Sequence, residues 1–164
     1  MSDPALTKYE AEIFAHVNEY GCHVTTVFDP DEVAPNFSYS VGFWESVGQP
    51  EVIILGLPSN MGHIAINETL RQCKEEGLRL SDWQPIEGLF EEFDVTCVAR
   101  TVDPAHMVIE YFNSALWYHE LRTGKPLDEA LQLVWSYDGL HPWDEGAPAA
   151  LFEDQPLLYS GTRH

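Results

Sequence analysis

Two strand-forming runs, FSYSVGF at 37–43 and EVIILGL at 51–57, stand so close together that the link between them constrains the fold of the whole chain. In the first run Phe37, Tyr39, Val41 and Phe43 alternate with Ser38, Ser40 and Gly42, giving one large apolar face and one small face. The link Glu45 to Pro50 is shorter than the crossover of about a dozen residues that parallel neighbours require. The two strands are therefore expected to pair antiparallel, which sets aside a doubly wound parallel sheet. The small face suits either a closely packed helix or a ligand.

Around this pair the chain alternates helical and extended patterns. Asp3 and Pro4 read as the cap and first residue of a helix with Leu6, Tyr9, Ile13, Val17 and Tyr20 on one face, and Gly21 as its stop. CHVTTVF is strand-prone and closes at the acidic run DPDEVAPN. Ser59 is placed to cap a helix that turns Met61, Ala65, Ile66, Leu70 and Cys73 to the sheet, ending at Gly77. Residues 78–92, with Trp83, Pro85 and Gly88, read as a wrap around a sheet edge, followed by a strand with Phe93, Val95, Cys97 and Ala99 on one face. Asp103 and Pro104 signal a helix carrying Val108, Tyr111, Phe112, Ala115, Leu116 and His119. After the break at Gly124 to Pro126 comes a strand with Leu131, Leu133 and Trp135, then the turn Asp138-Gly139. No internal repeat is visible.

These elements predict one α+β domain over residues 1–164, with a mostly antiparallel sheet that is curved or partly barrel-like, flanking helices, and an irregular C-terminal extension at 145–164. Curvature is the expected means of bringing FSYSVGF and LQLVW together. At 45% hydrophobic and 21% charged residues the chain is neither disordered nor membrane-like, and no apolar run nears the roughly 20 residues of a bilayer span. The start MSDPALTKYE lacks a secretory pattern, and Cys22, Cys73 and Cys97 lack disulfide spacing, so a cytoplasmic location is expected. The formal charge of -19 disfavours nucleic acid and anionic membranes. It suits solubility, a basic protein or a cation.

Chemical motifs are sparse. Seven histidines show no metal-ligand spacing, and there is no serine-hydrolase elbow, P-loop or dinucleotide fingerprint. No metal and no cofactor is assigned, although a zinc or iron site built from distant elements is testable by elemental analysis. Glu91, Glu92 and Asp94, and separately Asp144 and Glu145, form acidic groups whose plainer use is solvated surface charge. Cys97 near His106 is a weak thiol-catalysis signal.

FSYSVGF, PEVIILGLP, the helix containing Asn67, and ALQLVWSYDGLHPWD followed by QP together resemble the DUF4262 family, mainly bacterial proteins of uncharacterised function. The resemblance spans most of the domain and carries no catalytic assignment. Its matched positions are Tyr39, Gly42, Asn67, Gln132, Trp135, Asp138, Pro142 and Trp143. The segment RTGKPLDE departs from the common pattern and implies an insertion or an altered local pocket.

Tyr39, Asn67, Gln132, Trp135, Asp138 and Trp143 are the candidate ligand-binding residues, with Gln132 orienting a polar ligand beside Tyr39 and Asn67. The plainer role of a buried Gln132 is to bond backbone. Acidic charge with an aromatic and polar signature, and no recognisable reaction centre, favours noncatalytic binding of a small polar ligand or a basic protein, as an immunity-like protein would mask a toxin. The rival is a small enzyme using His106 or His119 as acid/base, or a flavin held by a curved sheet. A homodimer through a sheet edge is compatible with either.

Overall fold

The computed structural model describes residues 6–29, 31, 35–90 and 95–159. Helix α1 (Lys8–Tyr20) is capped by Thr7, whose hydroxyl accepts from the Glu10 amide while the Glu10 carboxylate accepts from the Thr7 amide. The start expected at Asp3 and Pro4 lies outside the described residues. Ile13 and Val17 are buried, whereas Leu6, Tyr9 and Tyr20 are exposed. Strands β1 (His23–Val27), β2 (Phe37–Val41) and β3 (Glu51–Leu55) form an antiparallel meander, with Tyr39 opposite both Thr25 and Ile53. The β2–β3 link contains a short helix, α2 (Phe43–Val47). Phe43 therefore begins a helix rather than ending a strand.

Helix α3 (Ser59–Glu75) follows, with Pro58 rather than Ser59 at its N-cap. Strands β4 (Gln84–Ile86), β5 (Cys97–Thr101) and, after a 3-10 turn and helix α4 (Ile109–Thr123), β6 (Ala130–Trp135) form a second antiparallel meander. The segment read as an edge wrap thus supplies the edge strand β4. Asp103 caps only the 3-10 turn, and α4 starts later at Ile109. A last short helix, α5 (Ala150–Glu153), lies in the C-terminal tail.

Among the described residues the six strands make one sheet in the order β1-β2-β3-β6-β5-β4. β3 and β6 run parallel, in register Glu51 to Ala130 and Ile53 to Gln132, and the other neighbours run antiparallel. The sheet is therefore mixed and open, not curved or partly barrel-like as expected. β1 and β4 end it at opposite edges. FSYSV and LQLVW come near each other because β3 lies between them, joined to β6 by a long crossover through α3, β4, β5 and α4.

Closure is not needed to bury the strands, since helices cover both faces. On one face α3 and Phe43 pack over Val52, Ile54, Ala99, Leu131, Leu133 and Trp135. On the other, α1 and α4 pack over Phe37, Tyr39, Val41, Ile53 and Leu55. The small face of β2 receives α3. A Cβ on Gly62 would lie 2.7 Å from the Ser38 hydroxyl, so the missing side chain sets that approach. Each half runs helix, strand, strand, helix, strand, a repeat of topology without a repeat of sequence.

Candidate functional site

The β2–α2–β3 connection sets the geometry of one end of the sheet. Gly42 takes φ +101 and sits so close to Val17 that a Cβ would lie 2.8 Å from its methyl carbon, and this ends β2 and starts α2. In α2 Phe43 is buried while Trp44 points outward, 54% exposed. Glu51, the first residue of β3, is 1% exposed and ties the connection together. Its carboxyl accepts from Ser40 Oγ (2.6 Å), the Gly42 amide (2.8 Å) and the Phe43 amide (3.2 Å). Burial pushes this carboxyl up to about 7, although all three donors pull the other way.

Helix α4 brings Tyr118, His119, Arg122 and Thr123 to the same end. Its chain is kinked at Phe112, with φ -133, and Tyr39 accepts the Ser114 amide at 2.9 Å just past the kink. Glu45 joins α2 to α4, accepting from the Tyr118 hydroxyl (2.7 Å) and Arg122 Nε (2.6 Å). Burial raises the Glu45 carboxyl, but these two donors outweigh it and hold it below the usual carboxylate range. Burial, reinforced by Glu45, pushes the Tyr118 phenol up. His119 is pulled down by burial, with Asp128 opposing, which favours its neutral imidazole at pH 7.

Between these elements lies a groove. A cavity of about 400 Å³ is lined by Trp44, Pro50, His119, Thr123 and the chain from Lys125 to Glu129. A second, of about 320 Å³, shares Trp44, His119 and Thr123 and adds Gly42, Glu45, Glu51, Tyr118 and Arg122. A third, of about 390 Å³, continues past Glu45, Tyr118 and Arg122 to α1. These sizes fall in the range of small-molecule sites. Trp44, Pro50 and Leu127 give the groove apolar surface, and its polar lining includes the neutral imidazole of His119, the cations Lys125 and Arg122, and the carboxyls of Glu45, Glu51, Asp128 and Glu129.

The residues singled out from the sequence are dispersed. Tyr39 and Gln132 are buried on the α1/α4 side of the sheet, whereas Asn67 lies exposed on α3, where Cys22 Sγ is 3.8 Å from its Oδ1. Gln132 is fully buried, donates to the Pro156 carbonyl and accepts from the Leu158 amide, both at 2.8 Å. Trp135 Nε1 donates to the Leu55 carbonyl at 2.7 Å. Asp138 and Gly139 both have positive φ, as a type I′ turn requires. Trp143 stacks on His141.

Of the two acid/base candidates, His119 lines the groove. His106 Nδ1 instead lies 3.0 Å from the Leu158 carbonyl. Cys97 is buried and its thiol is pushed up to about 12 by burial, which leaves little thiolate.

Glu91, Glu92 and Asp94 lie outside the described residues, and Asp144 accepts the His141 amide. Among the described residues no three His, Cys, Asp or Glu side chains gather as a metal set, and no helix is long and apolar enough to cross a membrane.

Trp44, Glu45, Glu51, Tyr118 and Arg122 were not legible as site residues. One signal did point here: RTGKPLDE, residues 122–129, forms much of the groove wall. The fold and site define an α+β domain with an open mixed sheet and a polar groove at one end of it. The family model described as Domain of unknown function (DUF4262) matches residues 16–148, which include every strand of the sheet, and the chain belongs to that family. No curated protein and no solved structure matches the chain.

Proposed function

We propose that this domain binds a small, flat ligand, uncharged or cationic, in the groove between α2 and α4, without transforming it. The observation that carries this reading is Trp44, an exposed indole beside a cavity of about 400 Å³. An indole face attracts planar rings and cations. Lys125 is opposed on the rim by Asp128 and Glu129, and Glu45 is already matched by Arg122, so an anion gains little there. His119 is the polar anchor, offering a neutral imidazole.

The test is a thermal-shift screen of N-heterocycles and small amines against the wild type and Trp44→Ala and His119→Ala variants. Compounds that raise the wild-type Tm and lose that effect in Trp44→Ala support the reading. Absence of any such compound, or equal shifts in all three proteins, refutes it.

Acid/base catalysis in the same groove is favoured by one specific feature. Glu51, held near pH 7 in its ionisation, lines a cavity that His119 also lines. Turnover of a bound compound that disappears in His119→Ala would move the assignment from binding to catalysis. Capture of a basic protein rests on the charge of -19 alone. It predicts association that weakens steeply with salt.

A further inference from the structure

The other half of the sheet holds a buried cation with a guanidinium nitrogen that has no hydrogen-bond partner among the described residues. Arg100, on β5, is 6% exposed. Its Nε donates to Asp82 Oδ1 at 2.8 Å, and the same oxygen accepts the Thr101 amide at 2.9 Å. Nη1 is buried and has no hydrogen-bond partner among the described residues. A guanidinium has five N–H donors, and leaving them unmade away from water is unfavourable.

Aromatic rings surround it. The guanidinium carbon lies 3.7 Å from the Trp83 ring centre, 4.2 Å from that of Tyr159 and 5.6 Å from that of Trp143. Ring faces offset the positive charge but accept no N–H bond of ordinary strength, so Nη1 stays unsatisfied. The enclosure is also held in a demanding conformation. Trp83 adopts φ +70, unusual for a bulky side chain, with its amide fixed to the Ala99 carbonyl at 2.7 Å. Trp143 is stacked on His141 with ring planes 1° apart. Trp83 is 44% exposed and Trp143 half-buried, so the outer wall of the enclosure is formed by side chains that reach solvent.

The geometry points to Arg100 as the anchor of a second ligand site, one that takes a small planar carboxylate against the ring cluster of Trp83, Trp143 and Tyr159. A carboxylate matches the two terminal nitrogens as a parallel pair of hydrogen bonds, with its remaining carbon skeleton against aromatic walls. Asp82 takes Nε, and Nη1 is the terminal nitrogen left without a partner among the described residues. The protein's net charge of -19 works against anions at long range, which favours a monoanion over a phosphate dianion. This site is distinct from the α2–α4 groove and does not depend on a ligand there.

The probes are benzoate, acetate and inorganic phosphate, titrated into isotope-labelled full-length protein at constant ionic strength while the Arg100 side-chain resonances are followed by NMR. Benzoate is expected to give a saturable shift of these resonances, with affinity about tenfold weaker in Arg100→Lys, where the charge remains but the fork is lost. Trp143→Ala is expected to weaken benzoate more than acetate, and this arm decides the matter if Arg100→Lys does not fold. Three results overturn the proposal: no saturable shift with either carboxylate, tighter binding of phosphate than of benzoate, or a benzoate response confined to Trp44 and His119.

Discussion

Replacing Glu51 with glutamine tests the balance that holds the β2–α2–β3 connection. The wild-type carboxyl is surrounded by three donors, from Ser40, Gly42 and Phe43, and yet burial raises it from an ordinary 4.5 to about 7. A raised acid binds more protons folded than unfolded, so its contribution is fully present below the unfolded value and is lost as pH climbs through about 7. At about 1.4 kcal/mol per pH unit, the wild type should lose on the order of 3 kcal/mol between pH 4.5 and 8 relative to a form that does not titrate. Glu51→Gln is that form. Its amide nitrogen must face at least one of the backbone donors at Gly42 or Phe43, at a cost of about 1–3 kcal/mol. Glu51→Gln should therefore be the less stable protein at pH 5, and the gap should narrow or reverse by pH 8. Urea unfolding of both proteins across this range gives the difference directly, and general charge repulsion largely cancels in it. A gap that stays constant or widens with pH would refute the reasoning, because the three donors would then outweigh burial.

Three other perturbations probe separate parts of the fold. Burial, then the adjacent His16, pushes His23 down to about 4. A depressed histidine contributes stability above its unfolded value near 6.5 and loses it as pH falls through 4, so wild-type urea midpoints should drop over that window and those of His23→Gln should drop less. Gly62→Ala places a Cβ 2.7 Å from Ser38 Oγ and should destabilise by about 1–3 kcal/mol in urea unfolding, with an unchanged midpoint excluding the close α3–β2 approach. Gln132→Leu strips partners from the Pro156 carbonyl and the Leu158 amide, and should lower stability by about 2 kcal/mol and speed proteolysis of the tail. An unchanged cleavage pattern would show that the tail is held elsewhere.

The parts of this fold that were legible in the sequence are those written by local period and turn chemistry. Phe37 to Val41 alternates, and it is a strand. Gly21 ends α1, and Asp138-Gly139 turns the chain. The Thr7-x-x-Glu10 capping box shares this local character, although Asp3 and Pro4 compete with it as a start signal. Two features were harder to read because they depend on partners far along the chain. Phe43 continues the alternation of β2 in sequence, yet Gly42 and the carboxyl of Glu51 turn its backbone into a helix. Gln132 has backbone bonding as its plainer reading, yet no local pattern names its partners, which come from the tail at Pro156 and Leu158.

The parallel pairing of β3 with β6 has no local signature at all, and it is this pairing that makes the groove. An antiparallel neighbour would start at the opposite end of the sheet from β3. Because β6 is parallel, Glu51 and Ala130 lie side by side at the start of their strands. The connections that precede them must then converge: α2 comes in before β3, and α4 with residues 124–129 comes in before β6. Trp44, Glu45 and Glu51 belong to the first connection, and Tyr118, His119, Arg122 and Lys125 to the second. Neither connection alone encloses a cavity. A change in the length of RTGKPLDE would accordingly reshape the groove while leaving the strand register untouched.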